Sequence, residues 1–127
     1  MKRFVSALAV AMALSIGVNA AESPIADAAA RGDREAVKAL LKKAADVNAA
    51  QGDGMTALHW AAMHGDSDLA QMLIVAGANV RATTRLGTYT PLYLASQKGH
   101  AAVIQALIAA GADVTAGTPN GTTALMV

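Results

Sequence analysis

Three histidines, His59, His64 and His100, and a scatter of carboxylates are the residues of this 127-residue chain that could do chemistry. Imidazole could serve as a general base or as a zinc ligand. The spacing favours neither role. His59 and His64 are five residues apart, which takes them off the common helix face that an i,i+4 pair shares. The chain has no Cys, so a thiolate zinc site, a cysteine nucleophile and a disulfide framework are all excluded. No Ser stands in a Gly-x-Ser-x-Gly turn, and no Gly-rich loop runs into Lys-Ser or Lys-Thr as a phosphate cradle would. Gly52-Asp53-Gly54 reads as a turn. Asp33, Glu35, Asp66 and Asp68 precede or open apolar segments, where carboxylates cap free N–H groups and complement the helix dipole. The expectation is a protein with no catalytic residues, no metal and no cofactor.

The elements that hold these residues repeat. Ser23, Thr56, Thr90 and Thr123 recur at spacings of 33, 34 and 33. Each is a hydroxyl residue suited to capping a helix N-terminus. Pro24 and Pro91 follow at the first helical position, where a missing N–H costs nothing. An Ala-rich segment comes next, Ala28-Ala29, Ala61-Ala62 and Ala95-Ser96, small enough to let a second helix approach closely. Gly32, Gly65 and Gly99 end that helix. The second helix of each block carries apolar residues at i, i+1, i+4 and i+5, as in Leu69, Ala70, Leu73 and Ile74, which makes one stripe. Gly77 and Gly111 stop it in two blocks; Ala44 takes that place in the first, at a cost of about 1 kcal/mol if its backbone is left-handed. Turns at Gly52-Asp53-Gly54, Leu86-Gly87 and Asn120-Gly121 then lead to the next block. One such pair cannot bury its stripe alone, so the expected fold is an all-α helical-repeat solenoid.

Thr56-Ala57-Leu58-His59-Trp60-Ala61-Ala62 and Thr90-Pro91-Leu92-Tyr93-Leu94-Ala95-Ser96, with Gly77-Ala78-Asn79-Val80 and Gly111-Ala112-Asp113-Val114, resemble ankyrin repeats. The resemblance runs over residues 23 to 127, in blocks of about 23–55, 56–89 and 90–122 and an incomplete fourth at 123–127. It implies antiparallel helix pairs with projecting β-turn fingers. It also implies that His59 hydrogen-bonds within and between repeats, and that His100 has a local role at the start of a second helix. Tyr93 and Met126 stand where the family usually has His, and Trp60 where it usually has Leu. The finger before the third block carries one extra residue, near Thr88 or Tyr89.

Aromatics make up only 3% of the chain, so its 54% hydrophobic content is largely Ala. The first 20 residues read separately. Lys2 and Arg3 are followed by an uncharged apolar stretch, Phe4–Val18, and by small residues at Val18 and Ala20. That is the layout of a secretory signal peptide cleaved before Ala21. The stretch falls short of the ~20 residues that span a bilayer. Residues 21–127 are therefore expected to be a periplasmic or secreted domain, without a membrane contact after cleavage. Loss of Lys2 and Arg3 reduces 10 basic residues to 8 against 9 acidic ones, a net of −1. Such a balance gives no electrostatic hold on nucleic acid.

The implied function is binding of another protein, as scaffold, inhibitor or protective binder. The alternative is that these repeats belong to a longer enzyme whose catalytic domain lies beyond Val127. By the resemblance, partners contact the finger tips and the exposed end of each first helix. Those positions are Gly52, Asp53 and Met55; Met63 and His64; Arg85, Leu86 and Tyr89; Gln97 and Lys98; and Asn120 and Thr122. Met55, Met63, Leu86 and Tyr89 carry the expectation most strongly, as large side chains at places predicted to face water.

Overall fold

The computed structural model describes residues 23–116 and Thr123. The expected export signal at 1–20, the finger residues Asn120 and Thr122, and residues 124–127 of the fourth block lie outside the described residues. Six short helices follow in pairs: α1 (Pro24–Ala30) and α2 (Arg34–Lys42), α3 (Ala57–His64) and α4 (Ser67–Val75), α5 (Pro91–Lys98) and α6 (Ala101–Ala109). The inner helices stack in a row, α1 on α3 and α3 on α5, and each outer helix packs on its own inner partner.

Thr56 and Thr90 cap α3 and α5: each Oγ1 accepts a backbone N–H, from His59 at 3.4 Å and from Tyr93 at 3.1 Å. Ser23 behaves differently from the capping role expected for it. Its ψ is 78°, against 171° and 161° at the two threonines. That rotation leaves its hydroxyl donating to Ala49 O at 2.9 Å, so Ser23 ties α1 to the approach of the first finger. Asp33 and Asp66 cap α2 and α4 as expected, accepting from Ala36 and Leu69. Glu35 and Asp68 instead reach Lys38 and Arg34.

The core runs through the stack as one layer. Leu58, Leu69, Leu73, Leu92 and Leu107 are at most 1% exposed, and Ala28, Ala29, Ala61, Ala62, Ala70 and Ala95 are fully buried among them. Truncating one of those leucines to Ala would cost about 2–5 kcal/mol, through lost transfer energy plus the cavity left behind. Ala allows the inner helices to lie close, which explains a core built with so few rings.

Polar ties join successive repeats. Asn48 donates from Nδ2 to Gly77 O at 3.2 Å and accepts from Asn79 N–H at 2.7 Å. Arg34 Nε donates to Asp66 at 2.8 Å. His100 Nε2 donates to Met63 O at 3.1 Å, and its ring lies over Gly65. Gly65 has φ +70°, and a Cβ there would meet the His100 ring at 2.5 Å, so two separate demands select glycine at this place. Ala44 does adopt the left-handed backbone, with φ 62°.

Candidate functional site

The first finger is closed by Gln51 N–H to Met55 O at 2.9 Å and by Gly54 N–H to Gln51 O at 2.8 Å. Asp53 Oδ1 accepts from Met55 N–H at 3.0 Å, an Asx turn that fixes the tip. The second finger is closed by Thr84 N–H to Tyr89 O at 3.0 Å. The buried Thr84 hydroxyl donates to Leu86 O at 2.8 Å and accepts from Tyr89 N–H at 3.1 Å. The extra residue expected near Thr88 or Tyr89 is taken up here by two left-handed positions, Gly87 at φ 82° and Thr88 at φ 49°. The fingers touch through Arg85 N–H and Asp53 O at 3.0 Å.

Between them lies a groove of about 260 Å³ lined by Asp53, Met55, Thr84, Leu86 and Tyr89. Leu86 stands at its edge, 83% exposed. Tyr89 forms one wall and stacks on Tyr93, ring centres 5.2 Å apart and planes 6° from parallel. Met55 was expected to face water; it is only 9% exposed and belongs to the core. Its position immediately before the capping Thr56 turns its side chain inward, so it supplies the groove's floor. Met63 is partly buried against the core.

The inner helices supply the adjoining surface. Asp27, Trp60 and Leu94 occupy the same place in three successive blocks. Gln51 joins the first finger to this row: its Nε2 donates to Asp27 Oδ1 at 2.6 Å, and its Oε1 accepts from Trp60 Nε1–H at 2.8 Å. One turn on, His64 stacks on Trp60 with centroids 5.9 Å apart and donates from Nε2 to Ala30 O at 3.0 Å. His64, Gln97 and Lys98 are exposed at the ends of α3 and α5, and Arg85 is exposed at the second finger. Trp60 and Gln51 were not among the expected site residues. The substitution of Trp for the usual Leu was the signal, together with the 33-residue spacing that puts it in line with Asp27.

His59 is fully buried. Its Nδ1 lies 3.1 Å from Thr56 N and 2.9 Å from Thr56 Oγ1, and its Nε2 2.9 Å from Tyr89 O. A backbone N–H can only donate, so Nδ1 accepts and Nε2 carries the proton. The ring is thus a neutral bridge from helix α3 to the next finger. Burial pushes its pKa below the ordinary histidine value, against weaker opposing pulls from the Tyr89 and Ala82 carbonyls and from Asp53. Such a group holds the scaffold together and does not reach a substrate. Among the described residues no group of three or more His, Cys, Asp or Glu could hold a metal ion. Nor is any described helix long and apolar enough to cross a membrane.

Stacked helix pairs, paired fingers and a threonine–histidine link between repeats define a helical-repeat scaffold. The family model described as ankyrin repeats (many copies) matches residues 25–74, and the ankyrin repeat model matches residues 89–119. The chain belongs to the ankyrin-repeat family. Ankyrin repeats are protein–protein interaction modules and are generally not catalytic. The chain is similar to part of a potassium channel, KOR1, of rice, 44% identical over 57% of this chain and 8% of that protein. It is also similar to a probable E3 ubiquitin-protein ligase, XBOS33, of rice, 41% identical over 55% of this chain and 14% of that one. A third relative is an ankyrin repeat and LEM domain-containing protein 1 homolog of Caenorhabditis elegans, 40% identical over 42% of this chain and 8% of that protein. The matches thus span only a small part of each relative's length.

Proposed function

We propose that this chain is exported, loses residues 1–20, and binds another protein in the periplasm or outside the cell through the fingers and the adjoining inner-helix face. The reading rests chiefly on Leu86. A leucine 83% exposed at the edge of an apolar groove loses free energy to water until something covers it. Exposed aliphatic residues are common singly. Leu86 differs because Met55 and Tyr89 line the same groove. The bound partner would make this domain a scaffold, an inhibitor or a protective binder. The Lys2–Arg3 start, the apolar stretch to Val18 and the small residues before Ala21 support export.

Two measurements test the reading. N-terminal sequencing of the protein recovered from a periplasmic fraction should begin at Ala21; recovery only from the cytoplasm with Met1 intact would remove the export half. A photo-crosslinking residue placed at Leu86, and in a separate variant at Val75 on the outer helix, addresses the binding half. Val75 is 85% exposed and so is an equally accessible control. A discrete adduct from position 86 and none from position 75 is expected. Equal labelling from both positions would count against this face.

A further inference from the structure

The groove between the fingers is fixed before anything enters it. A Cβ at Gly54 would meet the Arg85 backbone nitrogen at 2.7 Å, so glycine there lets the two fingers touch. Tyr93 stacks on the Tyr89 ring, and Gly87 lies so close to the same ring that a Cβ would collide with it. The Thr84 hydroxyl is engaged twice, by Leu86 O and by Tyr89 N–H. Walls held in this way have little freedom left to lose when a ligand arrives.

The lining carries charge of one sign. Met55, Leu86 and Tyr89 offer apolar surface, and of the described lining residues Asp53 alone is charged. Its Oδ1 accepts from Met55 N–H, while its Oδ2 has no hydrogen bond or ion pair among the described residues. Arg85 ties its backbone N–H to Asp53 O, yet its guanidinium makes no ion pair with the Asp53 carboxylate. Asp27, the carboxylate of the adjoining inner-helix row, is by contrast already held by Gln51. An apolar cleft with one unspent carboxylate matches a long basic side chain, which covers apolar surface with its methylenes and keeps its charge at the tip. An acidic occupant would meet like charge, and a neutral one would leave the carboxylate without a partner. At about 260 Å³ the groove falls below the ~300–1,000 Å³ of small-molecule sites, and one side chain of a protein suits it better than a free ligand.

We infer that the partner inserts one lysine or arginine side chain between the fingers, with its stem against Met55 and Leu86 and its charged head on the Asp53 carboxylate. This rests on the binding reading above and adds the chemistry of what is bound. Asp53 is exposed, so the ion pair contributes modestly to affinity and acts mainly on the choice of partner.

Random dodecapeptides displayed on phage and selected against the full chain test this, with Asp53→Asn, Arg85→Gln, Leu86→Ser and, as a control, Val75→Ser as counter-screens. Asn keeps an oxygen for Met55 N–H, so Asp53→Asn removes the charge and spares the turn. Leu86→Ser removes apolar surface without adding charge. The enriched peptides should share a Lys or Arg and bind less tightly in Leu86→Ser. Their affinity should fall about fivefold in Asp53→Asn, and should not fall in Arg85→Gln. Replacing the shared basic residue of the peptide by Leu should cost as much against the native chain and nothing more against Asp53→Asn, the non-additivity of a direct contact. Binding to the native chain should also weaken from about 50 to about 300 mM salt. Neutral or acidic peptides that lose binding in Leu86→Ser, or losses that simply add, would overturn this inference while leaving the binding face standing. Peptides indifferent to both Leu86→Ser and Asp53→Asn, or no enriched peptide at all, would overturn both. Circular dichroism melts of each variant confirm that the fold is retained; all the replaced side chains are exposed.

Discussion

Replacing His59 by Gln separates the two things the ring does, bridging and titrating. In the native protein Nδ1 accepts from Thr56 N–H and Nε2 donates to Tyr89 O. Protonation would put a second N–H on Nδ1, facing a backbone N–H that can only donate. The folded state therefore resists protonation, and burial lowers the pKa below the ~6.5 of an unfolded histidine. With a lowered folded value, the unfolded chain binds the extra proton first as pH falls. The stability contributed by this ring is complete above about pH 6.5 and declines below it, until the folded pKa is reached. One proton of difference gives a slope of at most about 1.4 kcal/mol per pH unit. A Gln side chain can accept with its oxygen and donate with its amide but does not titrate. His59→Gln should cost about 1–3 kcal/mol at pH 8, because its shorter amide fits one of the two bonds imperfectly and an unsatisfied buried group costs that much. Its stability should then change less between pH 7 and 5 than that of the native protein. Urea denaturation at several pH values measures both numbers. His64 and His100 are present in both proteins, so their contributions cancel in the comparison. Equal pH slopes in the two proteins would refute the neutral-bridge assignment.

Other perturbations probe the remaining supports. Ala44→Gly should raise stability by about 0.5–1 kcal/mol in urea denaturation, since φ 62° strains alanine more than the added flexibility of glycine costs. Gly65→Ala should be worse than Gly77→Ala. Both have positive φ, yet a Cβ at Gly65 meets the His100 ring at 2.5 Å while one at Gly77 meets nothing. About 1 kcal/mol is expected at position 77, and a larger loss, with the His100 ring resonances displaced in NMR spectra, at position 65. Gln51→Ala should cost about 1 kcal/mol by removing the acceptor of Trp60 Nε1–H. Trp60 is the only tryptophan, so its fluorescence reports the change directly; an unaltered spectrum would mean that Gln51 does not hold it.

Much of the architecture was legible in the sequence because the repeat states each rule three times. The threonine caps, the glycines after the helices and the apolar stripe agree from block to block, and the left-handed Ala44 follows from its place in the register. The site was less legible. Met55 looked exposed because it lies in a turn sequence, but the last residue of a finger packs under the helix it introduces. Ser23 matched the caps in type, but its backbone angle sent the hydroxyl elsewhere. The Asp27–Gln51–Trp60 chain joins two blocks of sequence through side-chain reach, which no periodic pattern encodes. The exposure of Leu86, Arg85 and Lys98 was readable because it follows from their repeat positions.

The central claim is that a protein partner is held on the finger face. Isothermal titration of the partner captured at position 86 tests it most directly, comparing the native chain with Leu86→Asp and Val75→Asp. Leu86→Asp should weaken binding tenfold or more, about 1.4 kcal/mol, while Val75→Asp leaves it unchanged. A native-like affinity in Leu86→Asp, or a loss confined to Val75→Asp, would contradict the account.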